Sequence, residues 1–191
     1  MQQAIDGRAP LSAALGELLF DPVAELAEQT AGFQYAKIGL AACAGEPRWQ
    51  ELWRAALERL PNSVAPVAVA YADWRRARAP RPDEILSAAA EAGVRLLLVD
   101  TYDKRAGGLL AHLSLEQLLL LAGEAARRDI GLAVAGSLTP EILPQVLRLA
   151  PEYVAVRGAA CRGDRTASID EALVAELATI CRTLGVQVAL G

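Results

Sequence analysis

Apolar runs rich in Val, Ile, Leu and Ala alternate along this chain with amphipathic stretches, strand then helix, six times over. The pattern predicts strands over 11–15, 34–38, 66–71, 94–99, 132–135 and 153–156. Helices are expected over 22–30, 47–60, 82–92, 114–128, 139–149 and 169–184. Their starts carry local signals. Pro82 opens one helix, where a missing N–H costs nothing. Ser114 with Gln117 three positions on reads as a capping box. Thr139 followed by Pro140 reads as an N-cap with proline at the first helical position. Trp49 and Trp53, one helical turn apart, should pack together.

Repeated strand–helix units predict an α/β fold with a parallel sheet covered by helices. Strands buried on both faces read as unbroken apolar runs, as VRLLLV and PVAVAY do. An open doubly wound sheet would call for a glycine-rich nucleotide turn, and no G-x-G-x-x-G is present. A barrel instead gathers polar residues at the exits of its strands, and that is the pattern here. The expected fold is a (β/α)8 TIM-type barrel, N-terminally truncated to about six β/α units, as one domain over 1–191. A complete barrel takes typically ~250 residues. Residues 1–8 read as the tail of a helix, so the sequence starts late in the barrel, or it is a natural six-unit open barrel whose edges favour self-association.

Composition narrows the chemistry. The net charge of −4 gives no basic face for nucleic acid. No apolar run reaches the ~20 residues of a membrane span, and the N-terminus has no signal-peptide core. Cys43, Cys161 and Cys181 form no metal-type or redox-type pair, and a reducing cytoplasm is the expected location. Cys161 reads as structural. Of the nineteen Lys and Arg only two are lysine, Lys37 and Lys104. Arginine cannot stand in where an amine must lose its proton, because guanidinium stays charged.

Both lysines fall at strand exits. The exits read Gly16-Glu17, Lys37-Ile38-Gly39, Tyr71-Ala72-Asp73, Asp100-Thr101 with Lys104, Gly136-Ser137, and Arg157-Gly158 with Cys161. Two amines on one rim depress each other's pKa, while a close carboxylate acts the other way. Asp100 and Lys104, four apart, form either an acid–amine pair at the site or a plain loop salt bridge. Gly136, Ser137, Arg157 and Gly158 suit a phosphate: glycines let backbone N–H groups approach an anion, and barrel loops after the last two strands commonly hold one. The glycines also serve as ordinary turn residues, and Arg157 could equally pair with an acid. Arg75 and Arg76, with Arg78, offer a second phosphate clamp or a solvated face. His112 is the only histidine, which gives a histidine-based metal site or triad little support.

The segments LVDTYDKRAG, VAGSLTPEILPQV, YVAVRGAACRGDR and SIDEALV resemble the (5-formylfuran-3-yl)methyl phosphate synthase family (4-HFC-P synthase, methanofuran biosynthesis), and LSAALGEL, YAKIGL and VAVAYADWRRA fit it in order. The resemblance runs over about 10–180. It implies a (β/α)8 barrel and a carbon–oxygen lyase acting on phosphates. Such an enzyme joins two glyceraldehyde 3-phosphate molecules through a lysine Schiff base, without a cofactor or a metal. Lys37 matches the family's proton-acceptor lysine; Asp100 and Lys104 match its acid–lysine pair. The family's Schiff-base lysine belongs to a D-V-K-x-P segment that these 191 residues do not contain, so the isolated chain is expected to be inactive. The implied partner is a small phosphorylated substrate, with neither nucleic acid nor membrane. Two other readings stay open: another Schiff-base aldolase on the same barrel, or a non-catalytic phosphate-binding remnant.

Overall fold

The computed structural model describes residues 9–183 and 187–190. The helix tail expected over 1–8 lies outside them, as does the last residue of the helix expected over 169–184. Seven parallel strands form one sheet in chain order: β1 (Ser12–Glu17), β2 (Tyr35–Gly39), β3 (Ala65–Tyr71), β4 (Leu96–Asp100), β5 (Gly131–Val134), β6 (Tyr153–Val156) and β7 (Gln187–Leu190). Each strand pairs with the next, and among the described residues β1 and β7 do not pair with each other. The six strands expected are all present. The seventh, β7, corrects the count: four residues, the first of them Gln187, are too short to announce a strand by periodicity. Among the described residues eight helices join the strands: α1 (Val23–Glu28), α2 (Trp49–Leu57), α3 (Trp74–Ala77), α4 (Pro82–Glu91), α5 (Leu109–His112), α6 (Leu115–Ala126), α7 (Leu143–Val146) and α8 (Glu171–Thr183).

Strand alternation divides the apolar residues into two layers. Ala36, Ile38, Leu97, Val99, Leu132, Val134, Val154 and Val156 face outward into one core with helix residues such as Trp53, Ile85, Leu118 and Leu143. Val67, Val69, Tyr71, Leu96, Leu98, Ala133 and Ala135 face the opposite side and form a second core, joined by Tyr35, Tyr153 and Ala155. Tyr35 on β2 and Tyr153 on β6 meet across this inner layer, ring centroids 5.9 Å apart and hydroxyls 3.0 Å apart. Strands four places apart in the order can touch only if the sheet curls, so the inner layer is a lumen.

Two local signals hold as read. The Ser114 hydroxyl accepts the Gln117 N–H at 3.2 Å while Gln117 Oε1 accepts the Ser114 N–H at 2.8 Å, which starts α6. Trp49 and Trp53 pack with centroids 6.4 Å apart. A third does not: the helix expected from Thr139 starts at Leu143. Pro144 has no N–H to continue a helix begun at Thr139, but it fits the first turn of one begun at Leu143. The Thr139 carbonyl instead closes a turn, accepting from the Ile142 and Leu143 N–H groups. Among the described residues no helix is long and apolar enough to cross a membrane.

Candidate functional site

Parallel strands deliver all their exits to one end of the sheet, so the polar residues that end the apolar runs gather on one rim. Lys37 lies on β2 between two inward positions, Tyr35 and Gly39, and its side chain enters the lumen half-buried. Among the described residues its amine makes no hydrogen bond or ion pair. Burial, the largest influence, pushes its pKa below the usual lysine value; the Asp100 carboxylate pulls it back and the Lys104 ammonium presses it down further. Lys37, Asp100 and Lys104 are therefore near enough to act on one another's charge.

The two amines are not equivalent. Lys104 is held by an ion pair with Asp100 Oδ1 and by the Thr101 carbonyl at 2.5 Å. Its side chain and that of Asp100 are 26% and 24% exposed, so this pair is neither a surface salt bridge nor a core one. The geometry gives one amine fixed by a carboxylate and, among the described residues, one amine without a bond.

Asp100 sits beside Tyr71 in the β3–β4 register. The Tyr71 hydroxyl donates to Glu17 Oε1 at 2.5 Å, and Glu17 Oε2 accepts the Ala41 N–H at 2.7 Å. Burial, followed by the Glu17 carboxylate, drives the Tyr71 phenol pKa upward, so this hydroxyl stays protonated. Glu17 and Tyr71 stood out in the sequence only as strand-exit residues. Their pairing across β2 had one faint signal, Gly39, a glycine where no turn needs one.

The phosphate candidates divide. Gly136 (φ +105°) lies against Thr101: a β-carbon there would stand 3.1 Å from Thr101 Cγ2. Its carbonyl accepts the Leu109 N–H at 2.9 Å, and Gly108 leaves room for the Gly136 and Ser137 carbonyls. The Gly136–Ser137 turn is thus next to the Asp100–Lys104 loop, with Ser137 exposed. The helix start expected to support it is absent, since α7 begins six residues after Ser137 and has four residues. Arg157 and Gly158 follow β6 and are exposed; Gly158 opens a 3-10 turn. Arg157 donates through Nε to the Arg165 carbonyl at 3.1 Å, not to an acid. Arg75 stacks on Trp74, 4.3 Å from its ring centroid, and Arg76 pairs with Asp103 at 3.4 Å, one residue before Lys104.

Burial, then Glu17 and Glu46, push the Cys43 thiol up to about 12. Cys161 is buried and donates to the Arg157 carbonyl at 3.2 Å. His112 ends α5. Among the described residues no cluster of His, Cys, Asp and Glu could hold a metal ion.

The 4-HFC-P synthase family model matches residues 1–178 of this chain. The chain is 33% identical over 186 residues to the (5-formylfuran-3-yl)methyl phosphate synthase of Methanosarcina barkeri, covering 94% of this chain and 80% of that protein. It is 35% identical over 177 residues to the protein of the same name from Methanopyrus kandleri, covering 88% and 75%. Among solved structures the fold is similar to the YdjI aldolase of Escherichia coli K12 (TM-score 0.55, 13% identity, 94% of this chain and 65% of that one). It is also similar to phosphoribosyl anthranilate isomerase of Thermus thermophilus (TM-score 0.53, 18% identity, 93% and 75%).

Proposed function

The chain belongs to the 4-HFC-P synthase family, and on that premise we propose that its rim site serves the synthesis of (5-formylfuran-3-yl)methyl phosphate from two glyceraldehyde 3-phosphate molecules. The single observation that carries this reading is the Lys37 amine, half-buried beside a carboxylate–ammonium pair and unbonded among the described residues. In this reading the curled sheet is the wall of a (β/α)8-type barrel in the cytoplasm.

The chemistry follows from the residues. An imine between a lysine and the first aldehyde is an electron sink for loss of the neighbouring proton. Burial, by lowering the pKa of Lys37, favours the neutral amine that takes that proton. The resulting enamine carbon attacks the second aldehyde. Loss of one phosphate and a net two waters, with the lysine freed by hydrolysis of the imine, then gives the aromatic ring, so the protein acts as a carbon–oxygen lyase. Asp100 pairs with Lys104 and fixes it beside the site, where its charge opposes a second positive charge on Lys37. The Gly136–Ser137 turn and the Arg157–Gly158 turn hold one phosphate, and Arg75 and Arg76 steer the other. The imine-forming lysine is assigned to a D-V-K-x-P segment, which these 191 residues lack.

The test compares the 191-residue chain with the same chain joined at its front to a segment carrying D-V-K-x-P. Each is incubated with glyceraldehyde 3-phosphate while formylfuran absorbance and phosphate release are followed. The joined protein should form both products and the chain alone neither. An inactive joined protein overturns the synthase reading; turnover by the chain alone overturns the assignment of the imine.

A further inference from the structure

Asp73 is 5% exposed, and the cation next to it in space, Arg76, pairs with Asp103 instead. A carboxylate taken out of water without a counter-ion is costly unless its oxygens are well hydrogen-bonded. Both are. Oδ1 accepts the Tyr102 N–H at 2.7 Å and Oδ2 accepts the Asp103 N–H at 2.9 Å. The Asp73 carbonyl is fixed as well, accepting from Arg76 and Ala77 to begin α3. The Ala72 N–H bonds the Asp100 carbonyl at 2.7 Å, which continues the β3–β4 ladder one step. Residues 102 and 103 are the two links between Thr101 and Lys104. With their amides tied to the turn that follows β3, the chain turns back so that the Lys104 amine meets Asp100 and the Thr101 carbonyl. Tyr102 adds an edge contact to Tyr71, centroids 5.3 Å apart.

We propose that Asp73 is a positioning residue: by tying the exit loop of β4 to the turn that follows β3, it sets where the Lys104 ammonium and the Asp100 carboxylate stand relative to Lys37. It touches no substrate. Its importance for catalysis rests on the synthase reading, but its effect on the two lysines does not.

Asparagine tests it. The Asp73→Asn side chain keeps one accepting oxygen, and its NH2 faces an N–H where a carboxylate oxygen stood. The loop should come loose and Lys104 should leave Asp100. The charged groups near Lys37 are Asp100 and Lys104 on the β4 exit. Glu17 lies over Gly39, and the Tyr71 phenol on β3 is neutral. Removing the ammonium and releasing the carboxylate both favour a proton on Lys37.

With two lysines in the whole chain, labelling lysine with 13C at Cε gives two side-chain signals to titrate by NMR. In Asp73→Asn the Lys37 midpoint should move upward. In a Lys104→Met background the same substitution should move it less. An unmoved Lys37 midpoint in folded Asp73→Asn overturns the proposal. Should that variant not fold, amide hydrogen exchange in the parent chain decides. Protection of the Tyr102 and Asp103 amides at the level of β3 and β4 supports the tie; exchange at open-loop rates overturns it. Neither readout needs turnover, so the proposal can fail while the synthase reading stands, or the reverse.

Discussion

The Glu17 carboxylate occupies the space that a β-carbon on residue 39 would take, 2.3 Å from each of its oxygens. Gly39 has ordinary strand backbone, so the glycine is there for room and not for conformation. That room lets Glu17 cross β2 and reach both the Tyr71 hydroxyl and the Ala41 N–H. Gly39→Ala should push the carboxylate aside. A glutamate side chain moves easily, so the cost comes from the two lost hydrogen bonds and the buried Tyr71 hydroxyl, about 1–3 kcal/mol. Urea denaturation measures it. In a Glu17→Ala background the same substitution should cost clearly less, since the two residues are coupled. Equal costs in both backgrounds would place the strain elsewhere.

Lys37→Arg keeps a cation-bearing side chain and removes the ability to shed the proton. In the joined protein described above, turnover should fall by roughly 100- to 10,000-fold, the range a positioned base contributes. The melting curve and circular dichroism should change little. Turnover within a few-fold of the parent takes Lys37 out of the mechanism.

The same residue makes a statement about stability. Because the folded-state pKa of Lys37 is lowered, with burial as the main cause, the folded chain releases this proton before the unfolded chain does. Between the folded value and the unfolded value of ~10.4, the unfolded state binds more protons, so stability rises with pH. Below the folded value the full cost of burying an ammonium is present. Lys37→Met should therefore be more stable than the parent at neutral pH. The gap should narrow as pH rises toward ~10.4. Denaturant midpoints at several pH values check this; a gap that stays constant with pH would mean that folding does not lower the pKa of Lys37.

Much of this was legible in the chain, and the reasons are local. β3 and β4 are buried on both faces, so they appear as the unbroken runs PVAVAY and VRLLLV. Lys37 and Asp100 were visible because each interrupts or ends such a run, and Lys104 because it is one of only two lysines. Asp73 and Glu17 were visible as exit residues without partners, because their contacts cross strands. Those pairings depend on register and curl, which no window of sequence contains. The start of α7 was misplaced because two start signals compete within six residues, Thr139-Pro140 and Pro144, and tertiary packing chose the later one. β7 was missed because four residues hold too little pattern.

Gly136→Ala tests the turn beside the amine pair. At φ +105° an alanine is strained by about 1–3 kcal/mol, and its methyl would stand 3.1 Å from Thr101 Cγ2. Thr101 supplies the carbonyl that accepts from Lys104. The variant should lose stability by that amount and shift the Lys104 Cε signal, while Ser137→Ala should do neither. An unchanged Lys104 signal in a folded Gly136→Ala protein would separate the turn from the amine pair.

Arg157 follows β6 on the alternation that turns Tyr153 and Ala155 inward, and its Nε is engaged by the Arg165 carbonyl. That bond holds the guanidinium from one side, which suits a cation aimed at an anion. A charge-assisted hydrogen bond contributes about 1.5–3 kcal/mol. Arg157→Gln in the joined protein should accordingly raise KM for glyceraldehyde 3-phosphate by roughly 10- to 100-fold. Because a phosphate is held equally in ground and transition states, kcat should change little. The effect should shrink as ionic strength rises, since the residue is exposed and its field is screened. A fall in kcat with KM unchanged would assign Arg157 to the reacting atoms, and no effect on either would leave the phosphate to the Gly136–Ser137 turn alone.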